Sequence, residues 1–262
     1  MVPLHSTWDI VGGLRVHGRI GPPSTGTPIV FVHGLGVSTR YMEPTMARLA
    51  TRYAVSALDL PGFGRSETPR RPFTLAQHAQ ALAHWLDLRG IGPAILVGNS
   101  YGCQVIVECV ARASDRAVGL VLNAPTMDPA HRNAFTMIAR VIAAVPREPW
   151  RLSAIVTRDY LRVGPRRLLE TLAGAIDDRI EEKLPDITQP TLVVCGARDP
   201  VVTVQWGSEC ARLVGIERPD AAGGTMQCVV TSAHALPYDD PVTFADILVN
   251  FAEHGVRLPA TS

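Results

Sequence analysis

The chain of 262 residues lacks a charge bias and long apolar runs. Its 25 Lys and Arg residues nearly balance 24 Asp and Glu residues, so the formal net charge is +1. A net charge this small produces too weak an electrostatic field to attract nucleic acid or an anionic membrane, and we expect neither as a partner. No apolar run approaches the length of about 18 residues that suggests a membrane span. The first residues, MVPLHSTWDI, contain neither the basic nor the apolar region of a secretory signal.

Paired cysteines are also missing. No C-x-x-C pair and no Cys/His spacing of a metal site occurs among the five cysteines, Cys103, Cys109, Cys195, Cys210 and Cys228. An odd number of cysteines in mostly apolar contexts is typical of small buried side chains in a reducing compartment. We therefore expect a cytoplasmic protein.

Short apolar runs are what the chain has instead. Hydrophobic residues make up 47% of it and charged residues 19%, enough apolar material for a buried core. The runs end in Gly, Asp or Asn: PIVFVHG (28–34), YAVSALDLPG (53–62), PAILVGNS (93–100), AVGLVLNAP (117–125) and PTLVVCGARD (190–199). They are typical of strands buried on both faces of a parallel sheet. Helical stretches such as TLAQHAQALAHWLDLRG (74–90) separate them, so we predict an α/β fold with a doubly wound sheet.

One interval breaks this alternation. Between the last two runs the pattern is helical, over residues 128–145, 149–163 and 165–183. Such a connection is too long for an ordinary link between strands. We therefore expect a core domain of residues 1–123 and 189–262, and a helical insertion, residues 124–188, over one end of the sheet.

The pentapeptide GNSYG (98–102) places Ser100 between two glycines at the end of a predicted strand. In an open parallel sheet, ligands bind beyond the carboxyl ends of the strands. A tight strand-to-helix turn would push the serine side chain outward, and Gly98 and Gly102 remove Cβ atoms that would clash with the neighbouring strand and helix. The N-terminus of the next helix favours an oxyanion. The pattern predicts a nucleophilic serine.

A serine hydroxyl needs a base that takes its proton. His234 follows the strand-like MQCVVTS and begins a loop, which places it at another strand end. The other histidines lie on helical patterns, where we expect surface or half-buried positions (His78 among them), or in an irregular N-terminal region (His17 among them). His33 lies beside a glycine-rich loop, where a structural hydrogen bond is favoured. His234 is therefore the predicted base.

An acid must orient that imidazole, and Asp199 in VVCGARDP lies at a third strand end. The order Ser100, Asp199, His234 is one of the orders in which chains carry this catalytic set. Asp128 is the alternative acid, but it lies beside a predicted helix start, where an N-cap role suits it better.

Acyl transfer also requires hydrogen-bond donors for the developing oxyanion. The amide of Tyr101, the residue after the predicted nucleophile, is one candidate. The second should come from the loop after an earlier strand, and HGLGVS (33–38) supplies it. Gly34 and Gly36 free the backbone there, so we assign this donor to the amide of Leu35.

The set HGLG, DLPGFGRS (59–66), GNSYG, GARDP and AHALPYDDP resembles, in order and spacing, the α/β-hydrolase fold superfamily. The similarity extends over residues 8–254 and is greatest to small bacterial hydrolases with a helical cap, a group of carboxylesterases and carbon–carbon bond hydrolases. It implies that residues 124–188 form the cap and that Asp59 marks a structural turn. It implies the same site residues: Ser100 as nucleophile, Asp199 as acid, His234 as base, and the amides of Leu35 and Tyr101 as oxyanion donors.

The resemblance implies a serine hydrolase, most like a carboxylesterase, that acts on a small ester or related carbonyl compound through an acyl-enzyme and needs no metal or organic cofactor. Haloalkane dehalogenases and epoxide hydrolases carry Asp where this chain has Ser100. The short loop HGLGVSTRY and the Ala-Leu-Pro-Tyr after His234 favour an esterase over a carbon–carbon bond hydrolase of vinylogous diketones. A weakly catalytic ligand-binding member of the fold is a second alternative. Natural substrate, acyl-chain length and oligomeric state stay open.

Overall fold

The computed structural model describes residues 2–256. Within this range eight strands form one sheet in the order β1-β2-β4-β3-β5-β6-β7-β8. The strands are β1 (His5–Val11), β2 (Leu14–Ile20), β3 (Ile29–Val32), β4 (Val55–Leu58), β5 (Ala94–Asn99), β6 (Ala117–Asn123), β7 (Thr191–Gly196) and β8 (Gly224–Val229).

The sheet is parallel from β4 to β8 and antiparallel at its N-terminal edge. β1 and β2 form a hairpin through Gly12 and Gly13, whose φ angles of +58° and +82° suit the primed turns of hairpins. β2 then pairs antiparallel with β4. The predicted α/β fold with a mostly parallel sheet is confirmed. The expectation of an irregular region around His17 is wrong, because this histidine lies in β2 and is buried.

Helices connect the strands. They are α1 (Glu43–Leu49), α2 (Leu75–Leu88), α3 (Tyr101–Arg112), α4 (Ala134–Ala144), α5 (Trp150–Val163), α6 (Pro165–Asp177), α7 (Ile180–Lys183), α8 (Val204–Leu213), α9 (Leu236–Asp239) and α10 (Pro241–Asn250). Of these, α2, α5 and α6 start within one residue of where the apolar pattern predicts a helix. In α2 the boundary has a local cause: Thr74 and Gln77 form a capping box at its N-terminus.

Both faces of the sheet are buried. Alternate residues of β3 belong to different apolar clusters, Val30 and Val32 to one and Ile29 and Phe31 to the other. Helices α2, α3 and α8 pack with the first cluster, whereas α1 and α10 pack with the second. Because both faces of these strands are buried, their sequences are continuous apolar runs and do not alternate between apolar and polar residues.

Four helices, α4 to α7, lie between β6 and β7, inside the helical insertion. The pattern over 128–145 overextends the first of them, because Asp128 caps a separate 3-10 turn (Pro129–His131) and the Asn133 side chain caps α4. The pattern over 165–183 spans two helices, α6 and α7, with a break at Asp178 and Arg179.

Several features are missing from the part of the chain that the structure describes. None of the helices within residues 2–256 is both long and apolar enough to cross a membrane. The same residues contain no group of three or more His, Cys, Asp or Glu side chains able to hold a metal ion. All five cysteines are free thiols, and four of them are buried as expected, whereas Cys228 is exposed.

Candidate active site

Ser100 occupies a strained turn between β5 and α3. Its backbone has φ 56° and ψ −120°, a conformation that side-chain-bearing residues rarely adopt. A Cβ on Gly98 would lie 2.6 Å from the backbone nitrogen of Cys103, and one on Gly102 would overlap the carbonyl oxygen of Val32. Since neither position can carry a side chain without moving backbone, the two glycines permit this turn.

His234 and Asp199 form a hydrogen-bonded pair at the same edge of the sheet. The distance from His234 Nδ1 to Asp199 Oδ2 is 2.8 Å. The other oxygen, Oδ1, accepts from the amides of Val201 at 2.7 Å and Val202 at 3.2 Å, which fixes the carboxyl group. An ionised carboxylate only accepts, so Nδ1 carries the proton and Nε2 is left as the basic nitrogen.

The surroundings of His234 favour its protonated form. Burial acts to lower the pKa of His234, but the charge of Asp199, its hydrogen bond and the charge of Glu148 together raise it above the ordinary value. A histidine whose pKa is raised accepts a proton more readily than an ordinary one.

Ser100 and His234 line one cavity of about 500 Å³. Asn99 links the two segments, because its Nδ2 donates to the His234 carbonyl oxygen at 3.2 Å and to Asn123 Oδ1 at 3.0 Å. Within residues 2–256 the serine hydroxyl and the imidazole do not hydrogen-bond to each other.

The loop after β3, residues 33–38, lies against the serine turn. A Cβ on Gly34 would be 3.5 Å from Ser100 Cβ, so the two backbones are adjacent. Gly36 has φ +75°, a backbone conformation that favours glycine, and it lies close to the Leu168 side chain of α6. The Gly34 amide is already occupied, since it donates to the Tyr41 hydroxyl at 3.1 Å. The next residue, Leu35, lines the cavity, and the assignment of its amide as an oxyanion donor stays a prediction.

Tyr101 lies at the start of α3, and its side chain anchors the turn. The distance from its hydroxyl to His78 Nδ1 is 2.9 Å, and His78 Nε2 lies 3.1 Å from the Pro61 carbonyl oxygen. Burial lowers the pKa of His78 to about 4, so this imidazole is neutral. The expectation that His78 lies at or near the surface is wrong, because it belongs to the buried face of α2.

Three further sequence interpretations agree with the contacts. His33 makes structural hydrogen bonds, with Nδ1 at 2.7 Å from the Gly34 carbonyl and Nε2 accepting from the Leu60 amide at 2.9 Å. The Asp128 side chain accepts from the Ala130 amide, as an N-cap does. Asp59 is buried among hydrogen-bond donors and lines no part of the cavity.

Most of the cavity wall is apolar and comes from the helical insertion. Side chains of α4, α5 and α6 line it, including Met137, Val141, Leu152, Val156, Leu168 and Leu172. Glu148 is the one carboxylate among the described lining residues, and no Lys or Arg lies there. Sequence reasoning missed Glu148 and Asn99, since no local pattern marks a residue whose partners are distant in the chain.

An open, mostly parallel sheet with a strained serine turn and a His–Asp pair at its carboxyl edge defines an α/β-hydrolase fold. Residues 29–247 match the Alpha/beta hydrolase family, and the chain belongs to this family.

Similar proteins cover almost the whole chain. RutD of Caulobacter vibrioides (strain NA1000 / CB15N), whose name gives carbamate hydrolysis as its presumed activity, is 27% identical over 94% of this chain and 98% of its own length. The pimeloyl-[acyl-carrier protein] methyl ester esterase of Neisseria meningitidis serogroup B is 26% identical over 93% of this chain and 99% of its own. Among solved structures, Est816, described as an N-acyl homoserine lactone degrading enzyme, superposes with a TM-score of 0.79 at 22% identity, covering 94% of this chain and 100% of that one. The first two support a hydrolase, and the third supports the fold.

Proposed function

We propose that this protein is a serine hydrolase that cleaves carboxylic esters through an acyl-enzyme intermediate. The observation that carries the proposal is the strained Ser100 turn, which opens into the same cavity as a histidine held by Asp199. In this proposal Ser100 is the nucleophile, His234 the general base and acid, and Asp199 the residue that orients the imidazole.

The reaction follows from these roles. His234 Nε2 takes the proton of Ser100 as the oxygen attacks the ester carbonyl carbon, and the amides of Leu35 and Tyr101 stabilise the tetrahedral oxyanion. As the carbon–oxygen bond to the alcohol breaks, His234 gives its proton to the leaving alcohol. Water then attacks the acyl-serine with His234 as base, the carboxylic acid leaves, and Ser100 recovers its proton.

The chemistry of the cavity favours uncharged, apolar esters. Its wall is mostly aliphatic, and a lone carboxylate with no Lys or Arg disfavours an anionic substrate. We further propose that residues 124–188 act as a cap that shapes the acyl pocket, because α4, α5 and α6 supply much of that wall. The names of the relatives specify different bonds, a carbamate in one and a methyl ester in another. They therefore support hydrolysis but do not identify a substrate for this protein. A cytoplasmic location stays a prediction, in keeping with the free thiols of all five cysteines.

The test is hydrolysis of p-nitrophenyl esters from acetate to octanoate by the wild type and by Ser100→Ala. We expect the substitution to lower kcat by about 10⁴-fold or more. In the wild type, kcat/KM should rise with chain length until the cavity is filled, since each buried methylene contributes about 0.8 kcal/mol. Circular dichroism of both proteins controls for folding. A wild type no more active than Ser100→Ala would contradict the proposal. It would favour the two alternatives, a carbon–carbon bond hydrolase of diketones or a ligand-binding protein.

A further inference from the structure

Glu148 connects the helical insertion to the loop that carries His234. It follows a 3-10 turn (Val145–Arg147) and precedes α5. Its Oε1 accepts hydrogen bonds from two consecutive backbone amides, that of His234 at 2.9 Å and that of Ala235 at 3.0 Å. A side chain of the insertion therefore fixes the backbone at the histidine itself.

The second oxygen of Glu148 distinguishes it from an ordinary loop anchor. Oε2 is buried and, among the residues that the structure describes, has no hydrogen-bond partner. Burial raises the pKa of Glu148, while the Ala235 amide and the charge of His234 oppose that rise. The carboxyl group thus lies near the imidazole, where low polarity makes charge–charge interactions stronger than in water.

The other titratable groups that face this pair are few. Asp199 contacts the imidazole, and Asp239 of α9 lies close to Glu148 and accepts from the Ala233 amide at 3.1 Å. The Tyr41 phenol also lines the cavity, and burial raises its pKa, so it is neutral. The charges around the ring of His234 are therefore negative ones.

We propose that Glu148 is a positioning residue for His234: it fixes the histidine backbone through two amides and places a second negative charge beside the imidazolium. This inference rests on the proposed function, because the imidazolium forms only if His234 takes the proton of Ser100. Asp199 and Glu148 then divide the task. Asp199 orients the ring through Nδ1, and Glu148 holds the main chain and stabilises the cation through space.

The first experiment measures the protonation of His234 and needs no turnover. Histidines are labelled with ¹³C at the imidazole carbon, the His234 signal is assigned as the one missing in His234→Ala, and its titration is followed by NMR. In Glu148→Gln the side-chain carbonyl can still accept from both amides, but the charge is gone. We expect the His234 midpoint to move to lower pH in this variant. An unchanged midpoint would overturn the inference, because an uncharged anchor would serve as well.

The matched control is Glu170→Gln. Glu170 lies in α6 of the same insertion, is exposed and pairs with Arg166. Its substitution removes the same charge from the same segment and should leave the His234 midpoint where it is. If both variants move the midpoint equally, the effect belongs to overall charge and Glu148 has no special role.

Kinetics then separate the backbone contact from the charge. Glu148→Ala removes both and should lower kcat for p-nitrophenyl butyrate by roughly 10²-fold, the cost of a displaced catalytic group. Glu148→Gln should keep more activity and show its acidic kcat/KM limb at lower pH than the wild type. Equal kcat in the wild type and Glu148→Ala would overturn the inference. Ser100→Ala, measured beside them, tests the proposed function alone, since an active Ser100→Ala would defeat that function whatever the His234 titration gives.

Discussion

Two buried aspartates hold neighbouring residues where the loop after β3 ends, one aspartate from the core and one from the helical insertion. Asp59, which follows β4 and is 1% exposed, accepts from the Thr39 amide at 2.7 Å. Asp159, in α5 and 4% exposed, accepts from the Ser38 hydroxyl at 2.6 Å. The residue type, the burial and the target are nearly the same. The number of donors is different.

The donors and charges around each carboxyl group set the direction in which its pKa shifts. Burial acts to raise the pKa of Asp59, but the hydrogen bond from His17, the charge interaction with His33 and the hydrogen bonds from two backbone amides outweigh it, so the pKa is lowered. For Asp159 burial is again the largest cause, one hydroxyl donor opposes it, and the pKa is raised. The core thus presents a stabilised anion to the loop, whereas the insertion is attached through a carboxyl group that resists ionisation.

The largest effect we predict comes from breaking the core contact. Asp59→Ala leaves the His17 Nδ1 and the Thr39 and Arg65 amides without their acceptor. We expect a loss of about 3–5 kcal/mol in the free energy of unfolding, measured by urea denaturation at pH 7. Asp159→Ala leaves only the Ser38 hydroxyl without its acceptor and should lower the free energy of unfolding by about 1 kcal/mol. Equal losses would show that donor number does not govern these contacts.

A glycine of the core and a glycine of the helical insertion also differ, and here we predict changes in stability of intermediate size. Gly102→Ala forces a Cβ against the carbonyl oxygen of Val32, and neither backbone can move without disturbing the Ser100 turn. We expect a loss of about 1–3 kcal/mol of stability together with most of the proposed hydrolase activity. Gly174→Ala, inside α6 with nothing within 4 Å of the new Cβ, should instead stabilise the protein by about 0.5–1 kcal/mol. Thermal and urea unfolding of the two variants check both signs, and a harmless Gly102→Ala would refute the steric explanation of the turn.

The sequence predicts the core of this molecule better than it predicts the contacts of the helical insertion. The strands and the turn at Ser100 were predictable because their signals are local: apolar runs, and glycines at fixed offsets from a serine. The placement of His234 and Asp199 at strand ends needed only the rule that parallel strands end at one edge. By contrast, Asp159 binds a residue 121 positions away and Glu148 binds one 86 positions away. Such contacts depend on how the helical insertion lies against the core, which no periodicity encodes.

The smallest effect concerns pH. A carboxyl group whose pKa is raised on folding binds its proton more tightly in the folded state, so its contribution to stability falls as pH rises from the ordinary Asp pKa through the raised one. Asp159→Asn removes this titration while its amide oxygen can still accept from Ser38. We therefore expect the variant to match the wild type in acid and to become more stable than it toward neutral pH, by about 1 kcal/mol or less.

For Asp59 the contribution to stability changes with pH in the opposite direction. Its lowered pKa contributes stability above the ordinary Asp pKa and loses it as pH falls, so Asp59→Asn should be weakest relative to the wild type at neutral pH and least so in acid. Urea midpoints of the wild type and both Asn variants across a pH series measure the two trends together. If Asp159→Asn instead loses stability toward neutral pH, as Asp59→Asn should, then both carboxyl groups are held as anions, and the insertion is anchored as firmly as the core.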